Sequence, residues 1–185
     1  MLTKLRIRNF KSWHDTGDIP LAPITVLFGS NSAGKSSIIQ FLLMLKQTIE
    51  SPDRRRVLHP GDEHTPVDLG TFRDLVYTHN EKLSISFDLQ CSLPAPLQFT
   101  DPRTDCSYEG RELRFEAAVA EDPKTSQVYV ENLEYALGSS GDGVVRIEMA
   151  PSKPGSLSTY KLIPRGYKLV RNQGRPWLPP PPVRF

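Results

Sequence analysis

Residues 29–36 read Gly29-Ser30-Asn31-Ser32-Ala33-Gly34-Lys35-Ser36, a complete G-x-x-x-x-G-K-S run. Its neighbours decide how it is read. Before it lies the apolar run Ile24-Thr25-Val26-Leu27-Phe28, opened by Pro23; after it, Ser37 to Ile49 reads as an amphipathic helix. Strand, loop and helix together are the setting in which this pattern cradles phosphate. Gly29 and Gly34 let the backbone curl so that successive N–H groups converge on an anion. A helix starting near Lys35 adds the positive end of its dipole. Lys35 is placed to reach β- and γ-phosphates as a point charge, and the Ser36 hydroxyl is the expected Mg²⁺ ligand, with Ser37 beside it. The expected ligand is a nucleoside triphosphate with magnesium, held by residues 29–37. The loop reads phosphates and is blind to the base.

Outward from the loop, the composition is that of a slightly polar globular protein. The chain has 185 residues, 38% hydrophobic and 24% charged, enough for one sizeable core. A net charge of +2 does not by itself argue for nucleic acid. Cys91 and Cys106 have no C-x-x-C spacing and read as free thiols, supporting neither a zinc site nor a disulfide framework. No apolar run reaches bilayer-spanning length and the N-terminus carries no signal-like apolar core, so a cytoplasmic protein without a membrane partner is expected.

Upstream, Leu2, Leu5, Ile7 and Phe10 punctuate a basic strand-like segment. A turn around Asp15 to Asp18 leads into Ile19-Pro20-Leu21, and Ile24 to Phe28 is expected as a buried strand. Downstream, Ile38, Ile39, Leu42, Leu43 and Leu45 form the expected core-facing stripe of a helix that ends near Glu50, ahead of Pro52. Ser51 to Pro66 reads as a surface loop. Its triplet Arg54-Arg55-Arg56 is open to two readings, a solvated face or a nucleic-acid or phosphate contact. Val67 to Tyr77 suggests a short strand, a glycine turn and one or two helical turns.

The remainder is strand-like. Leu83, Ile85, Phe87 and Leu89 alternate on one face, and Leu113, Phe115, Ala117 and Val119 do the same. Val128 to Leu137, Val144 to Met149 and Tyr160 to Ile163 follow, separated by Asp-Pro, Ser-Gly-Asp-Gly and Lys-Pro-Gly turn signals. Leu93 to Gly110 shows no clear period and reads as a loop or insertion. The pattern predicts an antiparallel meander, because no long helical period follows residue 50. The expected class is α/β (α+β), a mainly antiparallel sheet with one principal helix after the loop. Residues 1–172 are expected to form this unit, with 173–185 a proline-rich tail or linker.

The order of these pieces resembles the N-terminal lobe of ABC-type ATPases of the SMC, RecF and overcoming-lysogenization-defect kind, often labelled AAA family ATPases. The likeness rests on a basic strand ending in Asn9-Phe10-Lys11-Ser12, an acidic hairpin, an apolar strand, the loop 29–36 and an apolar helix. Asp68-Leu69-Gly70-Thr71-Phe72-Arg73-Asp74-Leu75-Val76 also resembles a stretch that such lobes carry, so the first 90 residues or so bear the resemblance. It implies a P-loop NTPase fold and ATP with Mg²⁺ as cofactors, Lys35 having the catalytic charge. It further implies that Lys11 contacts the phosphates or ribose, that Ser12 and Trp13 lie near the nucleotide, and that Asn31 faces the γ-phosphate and a partner subunit. From the residues alone, Lys11 also reads as a solvated strand end and Trp13 as a core or edge aromatic.

The chain departs from that resemblance in three respects. Gln90 closes an alternating strand and reads as sheet surface, not as the glutamine that meets metal and water. No L-S-G-G-type signature occurs, and no apolar strand ends in Asp-Glu; Glu121-Asp122 has the reverse order and precedes Pro123. Three functions follow as expectations. The first is an ATPase lobe that hydrolyses ATP when completed by a C-terminal lobe and a homodimeric partner, in DNA repair, DNA maintenance or phage defence, with DNA or an effector nuclease as a further partner. The second is a nucleotide-binding switch that does not hydrolyse. The third is a nucleic-acid scaffold using Lys4, Arg6, Arg8 and Arg54 to Arg56.

Overall fold

A computed structural model describes residues 1–53, 56–100, 105–138, 145–152 and 159–165. Among the described residues there are eight strands: β1 (Leu2–Phe10), β2 (Trp13–Asp15), β3 (Ile19–Pro20), β4 (Ile85–Thr100), β5 (Ser107–Glu121), β6 (Val128–Leu137), β7 (Val145–Pro151) and β8 (Tyr160–Arg165). They form one antiparallel sheet in the order β2-β1-β4-β5-β6-β7-β8, with β3 also paired to β1. The expected meander is present. Two helices stand apart from it, α1 (Lys35–Glu50) and the one-turn α2 (Phe72–Leu75), followed by a 3-10 turn at Tyr77–His79.

Burial of one sheet face against α1 makes the core. Phe41 of α1 sits edge-on to Phe10 of β1 (ring centroids 5.1 Å apart) and to Phe87 of β4 (5.2 Å). The aromatic contacts continue from Phe87 to Phe115 on β5 and on to Tyr135 on β6. Leu5, Ile7, Ile85, Ala117 and Val119 fill the same layer. The buried side of α1 is therefore Ile38, Phe41, Met44, Leu45 and Thr48. This corrects the expected stripe: Ile38 and Leu45 belong to it, whereas Ile39 is exposed and Leu42 and Leu43 are only half-buried. The helix carries apolar residues on two sides, and both satisfy a spacing of three and four.

The expected buried strand at Ile24 to Phe28 is absent. Those residues form no strand, and Ile24 (84% exposed), Val26 (63%) and Phe28 (90%) face outward. A strand needs a neighbour, and both edges of β1 are already taken, by β4 on one side and by β2 and β3 on the other.

Three smaller corrections have local causes. Leu93 to Thr100 and Ser107 to Gly110 extend the pairing of β4 with β5, the alternation hidden by Pro94 and Pro96 and by a register slip between Ser92 and Leu97. Proline is tolerated there because β1 pairing stops at Cys91. The loop after α1 is not wholly on the surface: Val57, Leu58 and His59 are buried, the His59 carbonyl accepting from Gln47 Nε2 (2.7 Å) and its N–H donating to Thr48 Oγ1 (2.8 Å). Val67 to Gly70 forms no strand: Gln47 holds the Val67 backbone and the Leu69 N–H donates to the Pro60 carbonyl. Arg54 and Arg55, Val144, the Ser-Gly-Asp-Gly and Lys-Pro-Gly turns and the proline-rich tail lie outside the described residues.

Candidate functional site

The loop 29–36 leads directly into α1, so the first turn of the helix and the loop form one cleft. It has a volume of about 330 Å³ and is lined by Ser12 and by residues 31–37. Gly34 precedes the helix in a left-handed conformation (φ 79°), and no side chain caps the helix start. No side chain caps the N–H groups of Lys35 and Ser36, the Ser37 N–H donates back to the Gly34 carbonyl, and no acid lies in that turn to neutralise its positive end. This end of α1 therefore presents positive partial charge to the cleft. The Lys35 ammonium folds back along the loop and donates to the carbonyls of Gly29 (2.8 Å) and Ser30 (2.5 Å).

The sheet reaches the cleft through the turn between β1 and β2. Asn9 (φ 56°) and Lys11 (φ 48°) both take left-handed conformations. Asn9 Nδ2 donates to the Ser84 carbonyl (3.0 Å), and the Lys11 N–H donates to the Leu75 carbonyl (2.7 Å). Pinned from both sides, the turn sets Ser12 and Trp13 against the loop, where the Trp13 indole N–H donates to the Gly34 carbonyl (3.0 Å). A Cβ added at Gly34 would lie 2.5 Å from Ser12 Oγ and 2.7 Å from Trp13 Nε1. Glycine is required there twice over, by φ and by space.

The expected contact residues divide accordingly. Ser12, Asn31, Ser32, Ala33, Gly34, Lys35, Ser36 and Ser37 line the cleft, while Gly29 and Ser30 hold the Lys35 ammonium. Lys11 stands off the cleft lining: its ammonium donates to Gln40 Oε1 (3.0 Å) on α1. Burial pushes its pKa down, and the charge of Asp74 partly offsets this. Gln40 and the Leu75 carbonyl carried no signal in the sequence, because each acts through a fold contact and not through a motif. Gln90 donates to Glu112 on the sheet, and Asp122 closes the β5–β6 turn by accepting from the N–H groups of Lys124 and Thr125.

The cations of β1 meet acids: Lys4 pairs with Asp18 (3.1 Å), Arg6 with Asp15 (2.6 Å), and Arg8 lies 3.8 Å from Glu116. Among the described residues no cluster of three His, Cys, Asp or Glu side chains is placed to hold a metal. The cleft suits a metal that arrives with its own oxygen ligands. Magnesium usually takes one or two protein oxygens and completes its shell with phosphates and water, and the exposed Ser36 hydroxyl is the oxygen that would be offered to it here. No described helix is long and apolar enough to cross a membrane.

A family profile described as the AAA ATPase domain matches residues 1–138, from β1 to the end of β6 with the whole cleft inside. The chain belongs to the AAA ATPase domain family. No curated protein matches it. Membership gives this AAA ATPase domain a general ATPase function and nucleotide binding, which in such domains usually involves Mg²⁺.

Proposed function

We propose that this AAA ATPase domain binds MgATP at residues 29–37 and acts as the N-terminal lobe of an ATPase of the SMC, RecF and overcoming-lysogenization-defect kind. The carrying observation is the cleft itself, an uncapped helix start joined to a glycine-bounded loop with Lys35 and Ser36 in its lining. The triphosphate takes the loop N–H groups, Lys35 stabilises its terminal charge, and Ser36 offers its hydroxyl to Mg²⁺. Bound metal supplies charge neutralisation across the phosphates. Lys35 must leave the Gly29 and Ser30 carbonyls to reach them, so the ligand replaces two hydrogen bonds already made.

Turnover needs a group to orient water, and no carboxylate lines the cleft. Hydrolysis is accordingly assigned to the completed form, in which a second lobe or a head-to-tail partner brings an acid. The outward-facing Ile24, Val26 and Phe28, directly before the loop, support this completion, since a strand added there would cover them. In that form the enzyme is placed as a cytoplasmic dimer serving DNA maintenance, DNA repair or phage defence, with DNA or an effector nuclease as partner. The same missing carboxylate favours a second reading, a switch that binds without cleaving.

Calorimetric titration of MgATP into the chain and into Lys35→Ala, with phosphate release followed in the same samples, tests the proposal. Loss of the lysine is expected to weaken binding by about ten- to a hundredfold, the worth of a charged hydrogen bond. Unchanged affinity in the variant would sink the site assignment. Binding with turnover by this chain alone would remove the need for a second lobe.

A further inference from the structure

We infer that Trp13 is a positioning residue for the phosphate loop: its indole N–H clamps the Gly34 peptide and so couples nucleotide affinity to the turn between β1 and β2. This rests on the reading of residues 29–37 as a triphosphate site. The Gly34 carbonyl accepts two hydrogen bonds, from Trp13 Nε1 (3.0 Å) and from the Ser37 N–H (3.1 Å). Both lone pairs are then engaged, and the peptide plane between Gly34 and Lys35 is fixed. In a trans peptide the C=O and N–H point in opposite directions. Holding the Gly34 oxygen toward the indole therefore turns the Lys35 N–H away from it, and this N–H is one of the uncapped donors at the start of α1.

Such a clamp is only as firm as its support. Trp13 pairs with Phe10 across β1 and β2 and packs half-buried against the core. Phe10 is fully buried against Phe41, and the neighbouring Lys11 N–H is tied to the Leu75 carbonyl. The indole thus transmits the position of the sheet core to a glycine that has no side chain of its own to fix it. Ser12 Oγ sits on the same side, close to the space a Gly34 side chain would need. An aromatic serving only to fill the core would need no donor; this one spends its N–H on the loop.

The test separates the N–H from the ring. Trp13→Phe keeps an aromatic and removes the donor. Replacement of Trp13 by 3-benzothienyl-alanine keeps the bicyclic shape as well and serves if Trp13→Phe fails to fold. In the full chain, each is titrated with MgATP and with inorganic tripolyphosphate, and hydrogen exchange is followed without ligand across residues 29–40 and across β1, β4 and β5. The expected result is about five- to tenfold weaker binding of both ligands, the worth of one hydrogen bond. Faster exchange at the Ala33 and Ser37 amides is expected alongside it, with the sheet amides unchanged. Wild-type affinity and wild-type exchange in the benzothienyl protein would overturn the inference, and so would a loss of protection spread evenly over the sheet. If the unsubstituted chain binds neither ligand, the triphosphate reading fails and loop exchange alone decides whether Trp13 is a clamp.

Discussion

Two five-residue stretches of this chain, Ile24 to Phe28 and Ile85 to Leu89, are both strand-like in sequence, yet they end in opposite states. Ile85 and Phe87 are buried; Phe87 is paired on both sides, with Ile7 of β1 and Ala117 of β5, and Ile85 pairs with Val119 of β5. Ile24, Val26 and Phe28 face outward and pair with nothing among the described strands. Strand propensity expresses a fit to a half-buried pleated surface, and that surface must be supplied by a neighbour. The antiparallel half of the molecule supplies its own neighbours through hairpins; the segment leading into the phosphate loop does not.

The sharpest way to break that contrast is to truncate one aromatic from each region. Phe41 is fully buried between Phe10 and Phe87, and Phe41→Ala is expected to cost about 3–5 kcal/mol in urea unfolding. Phe28→Ala, at an exposed site, is expected to stay within about 0.5 kcal/mol of the parent. Comparable losses at the two positions would mean that the segment before the loop is packed in solution, and the case for a missing neighbour would collapse.

A smaller effect sharpens the boundary between the two regions, where α2 holds the turn after β1. Thr71 and Asp74 form a capping box, with Asp74 Oδ2 accepting from the Thr71 N–H (2.8 Å) and from its hydroxyl (2.7 Å). These bonds hold the Asp74 carboxyl below its usual range. Asp74→Ala is expected to lower the midpoint of thermal unfolding, because it removes both halves of the box that Asp74 makes with Thr71. Because Leu75 anchors the Lys11 N–H, the variant should also speed exchange at the Lys11 amide, and an unaltered rate there would show that the turn does not depend on α2.

Much of this was legible in the sequence wherever the signal was local. Period-two alternation marked the inner parts of β4 and β5, turn signals delimited the strands after them, and the G-x-x-x-x-G-K-S run marked a cleft whose lining includes Asn31 to Ser37. What escaped depended on partners distant along the chain. The buried side of α1 was misread because Ile39 and Leu43 satisfy the same spacing as Phe41 and Met44, and only the position of the sheet chooses between them. Val57, Leu58 and His59 are buried, with the His59 backbone held by two side chains of α1, Gln47 and Thr48, that no loop composition reveals. Trp13 was legible as a neighbour of the site, but the bond from its indole to Gly34 appears only when the β1–β2 turn is folded over the loop.

The smallest effect concerns charge at that same turn and tests whether the loop is held by ion pairs or by the indole. Asp15 accepts from Arg6 Nε (3.0 Å), Arg6 Nη2 (2.6 Å) and the Gly17 N–H (2.8 Å), and its carboxyl is held well below the usual carboxylate range, chiefly by Arg6. A carboxyl whose pKa is depressed by folding adds stability above its unfolded value of 3.8 and loses it as pH falls toward the folded one. Asp15→Asn should therefore destabilise the chain by about 0.5–1 kcal/mol at neutral pH, discounted because both side chains remain about a third exposed. The gap to the parent should narrow as the pH is lowered from about 4 to about 2. A gap independent of pH would show that Asp15 acts through its turn geometry and not through its charge. MgATP affinity at neutral pH should be unchanged in Asp15→Asn, because none of these ion pairs touches residues 29–37. If affinity fell as far as it does without the Trp13 donor, the charges of the hairpin would share in holding the loop.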